Sequence, residues 1–231
     1  PLERLLSKSY ADGVAENIST TKASVSLELA PLESKVEGRD TTHFSIIDAE
    51  GNLVAATLSI NTPFGSGVVP KGTGVVLNNE MDDFSARRMT PNTYGLVGAG
   101  ANSIAPRKRP LSSMTPTFIE SNDRVAILGT PGGSRIISMV LVSALEFLRG
   151  GDAESMVVAK RYHHQYLPDQ INYEKGGFTM SEVSNLRGKG HQLKESSRNY
   201  GNMQVVTWEK KSGKIAAASD PRGEGQATVE K

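Results

Sequence analysis

Glu37-Gly38-Arg39-Asp40-Thr41-Thr42-His43-Phe44-Ser45-Ile46-Ile47-Asp48 is the stretch on which the fold turns, because its two halves demand opposite structures. Residues 19–40 mix Ser, Thr, Pro and charges without periodicity and read as an exposed connector, a kind of segment that tolerates proteolysis. From Thr42 to Asp48 polar and apolar residues alternate as in a strand. Ala49-Glu50-Gly51-Asn52 supplies a turn and Leu53 to Ile60 a second strand, so a hairpin is expected. Cleavage after Asp40 would leave Thr41 with a hydroxyl and a free α-amine. An α-amine titrates near ~7.7–8.0, so it can take the hydroxyl proton as a general base, the device of N-terminal threonine nucleophiles. Taken alone, Thr41 and Thr42 are equally the β-branched residues that a strand start favours.

Beyond the hairpin, residues 61–75 are punctuated by Pro63, Gly65, Gly67, Pro70, Gly72 and Gly74 and form a shaped loop, the usual place for a site. Val125 to Leu128 reads as a buried strand that delivers Gly129-Thr130-Pro131-Gly132-Gly133-Ser134 to an apolar helix ending near Gly150-Gly151. There Gly132 and Gly133 would let two backbone N–H groups approach a developing oxyanion, although the same residues also make an ordinary turn and cap. The loop lacks the lysine of a phosphate-binding P-loop. Asp152 is placed to cap a helix, Thr179 with Glu182 to form a capping box, and Met203 to Trp208 to pair with Ile215 to Ser219 across Lys211-Ser212-Gly213. A layered arrangement of sheet and helices follows.

Glu80, Asp82 and Asp83 are acids among apolar neighbours, suited to an ammonium group or a hard metal ion, or simply to solvent. Ser112 and Ser113 could donate to a carboxylate or cap a turn. His163-His164, read as adjacent residues of a helix, would point apart and bind no metal together, and they are taken as structural.

Toward the other end, Leu2, Leu5, Leu6, Tyr10, Val14 and Ile18 recur at helical spacing, predicting one amphipathic helix over residues 1–18 that needs a partner surface. The 231 residues, 37% of them hydrophobic, suffice for one substantial core. With 26 basic and 25 acidic side chains no broad field exists to attract nucleic acid or an anionic membrane. Zero cysteines exclude disulfides and thiol chemistry. The most apolar run, Ile136 to Leu148, is shorter than the ~20 residues of a membrane span. A start at Pro1 rather than Met points to a longer precursor.

In combination, Thr41-Thr42-His43, the Asn61 loop, Asn78-Asn79-Glu80-Met81-Asp82-Asp83-Phe84-Ser85, Pro110-Leu111-Ser112-Ser113-Met114, Pro131-Gly132-Gly133-Ser134-Arg135 and Ser219-Asp220-Pro221-Arg222 closely resemble γ-glutamyltranspeptidases. The resemblance covers residues 41–231 as the catalytic small subunit, with 1–40 as the tail of the large subunit and a processing connector. It implies an α+β, four-layer αββα sandwich of the N-terminal-nucleophile hydrolase class and self-cleavage before Thr41. It also implies γ-glutamyl transfer from glutathione or another γ-glutamyl donor to water or to an amino acid or peptide acceptor.

Carried over by motif, Asn61, Glu80 and Asp83 hold the donor's α-amino end, Ser112 and Ser113 its α-carboxylate, and Gly132 and Gly133 the oxyanion. Tyr94 falls at the gating position of a lid running from Phe84. Ser59 stands where many members carry a second threonine near the nucleophile, and Glu80 where some bacterial members carry glutamine. The resemblance further implies no cofactor or metal, a large subunit that contributes an arginine to the substrate carboxylate, and a periplasmic or secreted location. Two alternatives stay open: a related acylase acting on β-lactam side chains or poly-γ-glutamate, and an unprocessed, non-catalytic assembly module.

Overall fold

The computed structural model describes residues 2–26, 41–85 and 100–230; residues 27–40 of the connector and the segment containing Tyr94 lie outside them. The strands are β1 (Thr41–Ile47), β2 (Leu53–Ser59), β3 (Thr117–Glu120), β4 (Arg124–Gly129), β5 (Tyr162–His164), β6 (Ile171–Tyr173), β7 (Leu193–Glu195), β8 (Gln204–Glu209) and β9 (Lys214–Ser219). The helices are α1 (Leu2–Leu5), α2 (Lys8–Glu16), α3 (Ile136–Leu148), α4 (Ala153–Val158) and α5 (Met180–Gly188).

β1 and β2 form the expected hairpin, with Ile47 opposite Leu53 at the turn and Thr41 opposite Ser59 at the open end. The turn closes because the Asp48 carboxylate accepts from both the backbone N and the side-chain Nδ2 of Asn52, each at 2.7 Å, while Gly51 takes φ 83°. β3, β4, β8 and β9 make an antiparallel sheet in the order β3-β4-β8-β9, and β5-β6-β7 make a small separate one.

Alternation along β4 and β8 buries both faces of the larger sheet. On one face Ala126, Leu128, Val205 and Ala218 pack with Ile136, Met139, Val140 and Phe147 of α3 and with Met156 and Val157 of α4. The other face receives the hairpin. A Cβ on Gly129 would stand 2.2 Å from the His43 ring, and Ser45 Oγ donates to the Gln204 carbonyl at 3.3 Å. His43 is buried against this sheet, and burial lowers its pKa to about 4, so the imidazole is neutral. Its two nitrogens meet Thr57 Oγ1 at 2.7 Å and Ser45 Oγ at 3.1 Å.

The described residues therefore supply three layers of an αββα sandwich: hairpin, sheet and helices. On the hairpin's outer face Phe44, Ile46, Val54 and Leu58 remain 41–53% exposed.

Two expectations need correction. The N-terminal segment is not one helix. Ser7 breaks it by capping α2, its side chain accepting from Tyr10 N, because a serine hydroxyl competes for backbone donors better than it continues a turn. His163 and His164 lie on β5 rather than on a helix, since the chain leaves α4 at Val158 to bury Arg161. They do point apart, His163 inward and His164 outward.

Candidate active site

The register of the hairpin brings the first and last residues of its two strands together, so Thr41 Oγ1 and Ser59 Oγ lie 3.0 Å apart. The chain then turns sharply. Asn61 is buried with φ 76°, a left-handed conformation that asparagine tolerates better than most residues, and its backbone N–H donates to Ser59 Oγ at 2.9 Å. A donor thus aligns the Ser59 hydroxyl toward Thr41.

Asn61 Nδ2 donates to the Asn79 carbonyl at 3.0 Å, and the Asn79 side chain accepts from Thr62 N and Oγ1, tying the Asn61 loop to the acidic segment. That segment is a 3-10 turn, Glu80–Asp83, with the Asn79 amide donating to Asp82 Oδ2 at 2.8 Å.

Asp83 is only 8% exposed and its Oδ1 has no hydrogen-bond partner. Burial first, then repulsion from Glu80, pushes its pKa up to about 7, while a hydrogen bond with Asn61 opposes the rise. A buried carboxylate oxygen without a partner is costly and would be relieved by a cationic ligand.

Thr41, Ser59, Asn61, Glu80, Asp83, Ser112, Ser113 and Gly133 all line one cleft, together with Leu111, Met114 and Ile136. The lining combines two acids with two serine hydroxyls, and the apolar side chains suit the methylenes of a short acyl chain. Gly132 does not line the cleft. It takes φ 143°, and a Cβ there would strike Met139 Cε at 2.5 Å. Gly133, with φ 56°, is the glycine of the pair that lines the cleft with Thr41. Tyr94 lies outside the described residues.

Behind the glycines lies a relay without a motif of its own in the sequence. The Ser134 hydroxyl donates to Gln165 Oε1, which His163 Nε2 also meets at 3.2 Å, and His163 Nδ1 meets Ser138 Oγ at 2.8 Å. These bonds fix the start of α3, and with it Gly133, to β5. The adjacent His-His pair, taken as structural from the sequence, is the signal, and His163 is the member that gives this support. Among the described residues no cluster of three or more His, Cys, Asp or Glu suited to a metal occurs, and no helix is long and apolar enough to cross a membrane.

The gamma-glutamyltranspeptidase family profile matches residues 1–230. The glutathione hydrolase proenzyme of Escherichia coli K12 is 41% identical over 99% of this chain, and that of Pseudomonas aeruginosa is 41% identical over all of it. The chain spans about 40% of the length of these relatives. Among solved structures, the γ-glutamyltranspeptidase of Pseudomonas nitroreducens complexed with L-DON superposes with a TM-score of 0.74 at 42% identity, covering 82% of this chain and 100% of that one. A cephalosporin acylase from Bacillus halodurans shares the fold over the whole chain, with a TM-score of 0.79 at 24% identity.

Proposed function

The chain belongs to the γ-glutamyltranspeptidase family, and from that premise we propose that it carries the catalytic half of an enzyme that moves γ-glutamyl groups from glutathione and similar donors to water or to amino acids and peptides. The observation that carries this reading is the unpaired Oδ1 of Asp83 in the same cleft as the Thr41–Ser59 pair, with Ser112 and Ser113 also lining it. An ammonium group on Asp83 and Glu80 and a carboxylate on the two serines would lay the side chain of a glutamyl group past Leu111 and Met114 toward Thr41.

In the proposed reaction the precursor first breaks its own bond between Asp40 and Thr41, releasing the threonine α-amine. That amine takes the hydroxyl proton as Thr41 Oγ1 attacks the γ-carbonyl carbon. The Ser59 hydroxyl steadies the oxygen as it loses its proton, and the Gly133 N–H, joined by that of Gly132 on the family pattern, receives the negative oxygen. When the tetrahedral species collapses, the γ-amide C–N bond breaks and the ammonium returns its proton to the leaving amine, cysteinylglycine when the donor is glutathione. Water or an acceptor amine then attacks the threonine ester, gives up a proton to the same α-amine, and restores Thr41. Asn61 holds Asp83 in place for the donor's amine. Tyr94 belongs, on this reading, to a lid that meters acceptor entry.

Residues 41–231 are assigned to the small subunit and residues 1–40 to the tail of the large subunit, which is the partner that completes the donor site. A periplasmic or secreted enzyme fits the same family reading. The test is amino-terminal analysis and glutathione turnover of the full-length precursor. The wild type should acquire a new terminus at Thr41, whereas Thr41→Ala should stay uncut and lose activity by at least ~10³-fold. A cut and active variant overturns the reading, and a wild type that prefers β-lactam side chains or poly-γ-glutamate over glutathione transfers it to the acylases.

A further inference from the structure

Asn102, at the end of a 3-10 turn over Gly100–Asn102, touches both walls of the donor cleft. Its Nδ2 donates to the Asp83 carbonyl at 2.8 Å and reaches Ser85 Oγ at 3.4 Å, so one edge of the amide grips the segment that ends the acidic wall. Its Oδ1 accepts from Leu111 N at 2.9 Å, so the other edge grips the residue just before Ser112 and Ser113. The backbone of Asn102 is itself held, since Ser85 N donates to its carbonyl at 2.9 Å and Ser85 pairs with Ser103. Lys108 Nζ adds bonds to the carbonyls of Ala101 and Ser103 at 2.8 and 3.2 Å, fixing the turn from outside.

A primary amide is planar and offers donors on one side and an acceptor on the other, at a separation set by covalent bonds. Placed between Asp83 and Leu111, it works as a spacer of fixed length. An aspartate would lose the donor edge, an alanine both, and a glutamine would be one methylene too long. None of these bonds reaches the nucleophile or Gly133.

We infer that Asn102 is a positioning residue that sets the distance between the ammonium-binding and carboxylate-binding ends of the cleft, and through it the preference for donors carrying both groups of an α-amino acid. The inference rests on the γ-glutamyl reading proposed above. With the spacing fixed, a donor engages both ends at once and each group adds to the other. With the spacing lost, a donor engages one end at a time, so the second group loses its value while donors with a single group lose little.

The test compares the full-length wild-type precursor with Asn102→Ala and Asn102→Asp, using three anilides: γ-glutamyl, glutaryl, which lacks the α-amine, and 4-aminobutanoyl, which lacks the α-carboxylate. A wild type that does not favour the γ-glutamyl anilide over the other two refutes the γ-glutamyl reading itself, before Asn102 is in question. Given that preference, Asn102→Ala should raise KM for the γ-glutamyl anilide about 10-fold with kcat within about 3-fold, and should lower the preference over each truncated donor about 10-fold. Asn102→Asp, which keeps the acceptor for Leu111 N, should fall between wild type and Asn102→Ala. Equal losses on all three anilides, or an unchanged preference, overturn the inference. Failure of both variants to mature also overturns it, by making the side chain a requirement of folding rather than of donor recognition.

Discussion

Asp83 is an acid whose charge the fold holds at a cost. Its pKa in the folded chain is about 7, above the ordinary value of 3.8, because burial and the neighbouring Glu80 disfavour its charge. For a group with a raised folded pKa, the unfolded chain gives up its proton first as pH rises. Stability is therefore lost between pH 3.8 and 7 and the loss is complete above 7. Asp83→Asn removes that loss. The stability of the variant relative to wild type, measured by denaturant unfolding across pH 4 to 8, should grow by about 1–3 kcal/mol up to pH 7 and level off beyond it. The same substitution should raise the donor KM at least about 10-fold, since an amide offers the donor's ammonium no charge. A flat stability difference would show that the carboxyl titrates alike in the folded and unfolded chain, so that burial carries no cost there.

At the scale of elements, the hairpin sits on the sheet with a close approach of His43 to Gly129. Any side chain at position 129 meets the imidazole, so Gly129→Ala should destabilise the protein by about 2–4 kcal/mol and lower its thermal midpoint, with the loss partly recovered by His43→Ala in the same chain. That contact also marks where sequence reasoning stops. The hairpin, the glycine-bearing turn into α3, the capping box of Thr179 and Glu182, and the β8–β9 pair follow from periodicity and turn residues, and the structure has each of them. Alternation in β1, however, cannot say which face is inward. The buried side is polar, with His43 and Ser45, while Phe44 and Ile46 face out. Strands β5, β6 and β7 have three residues each, too few for a period to register. Of the site, Thr41 and the glycines were legible as candidates from position alone. Glu80, Asp83, Ser112 and Ser113 were legible as candidates with ordinary alternatives, but not that they share one cleft with Thr41, because these segments come together only in three dimensions. Asn102 and Gln165 gave no signal, since a lone amide in a loop looks like any turn residue.

Across the whole molecule, distant segments are tied by a buried ionic cluster that involves the late Ser219-Asp220-Pro221-Arg222 motif. Asp220 is fully enclosed and pairs with Arg161 and, at 3.1 Å, with Arg222, whose Nε reaches Glu174 at 2.7 Å. Asp220 also accepts from Met203 N at 3.0 Å, and Arg161 donates to the Tyr200 carbonyl, so the cluster joins α4, the end of β6, the entry to β8 and the exit of β9. Removing one member leaves its partners charged and dry. Asp220→Asn should cost about 3–5 kcal/mol in unfolding experiments, while replacing Arg161 and Asp220 together by apolar residues of similar size should cost less than that single change. The placement of this cluster, and of β8 beneath the hairpin, also fixes a timing. During synthesis the strand bearing Thr41 leaves the ribosome long before the residues of β8 that will lie under it, and the anchor at Asp220 follows later still. A half-made chain therefore has the hydroxyl but no floor to hold it in place, and on the proposed reading the bond before Thr41 stays intact until β8 and the Asp220 anchor have emerged.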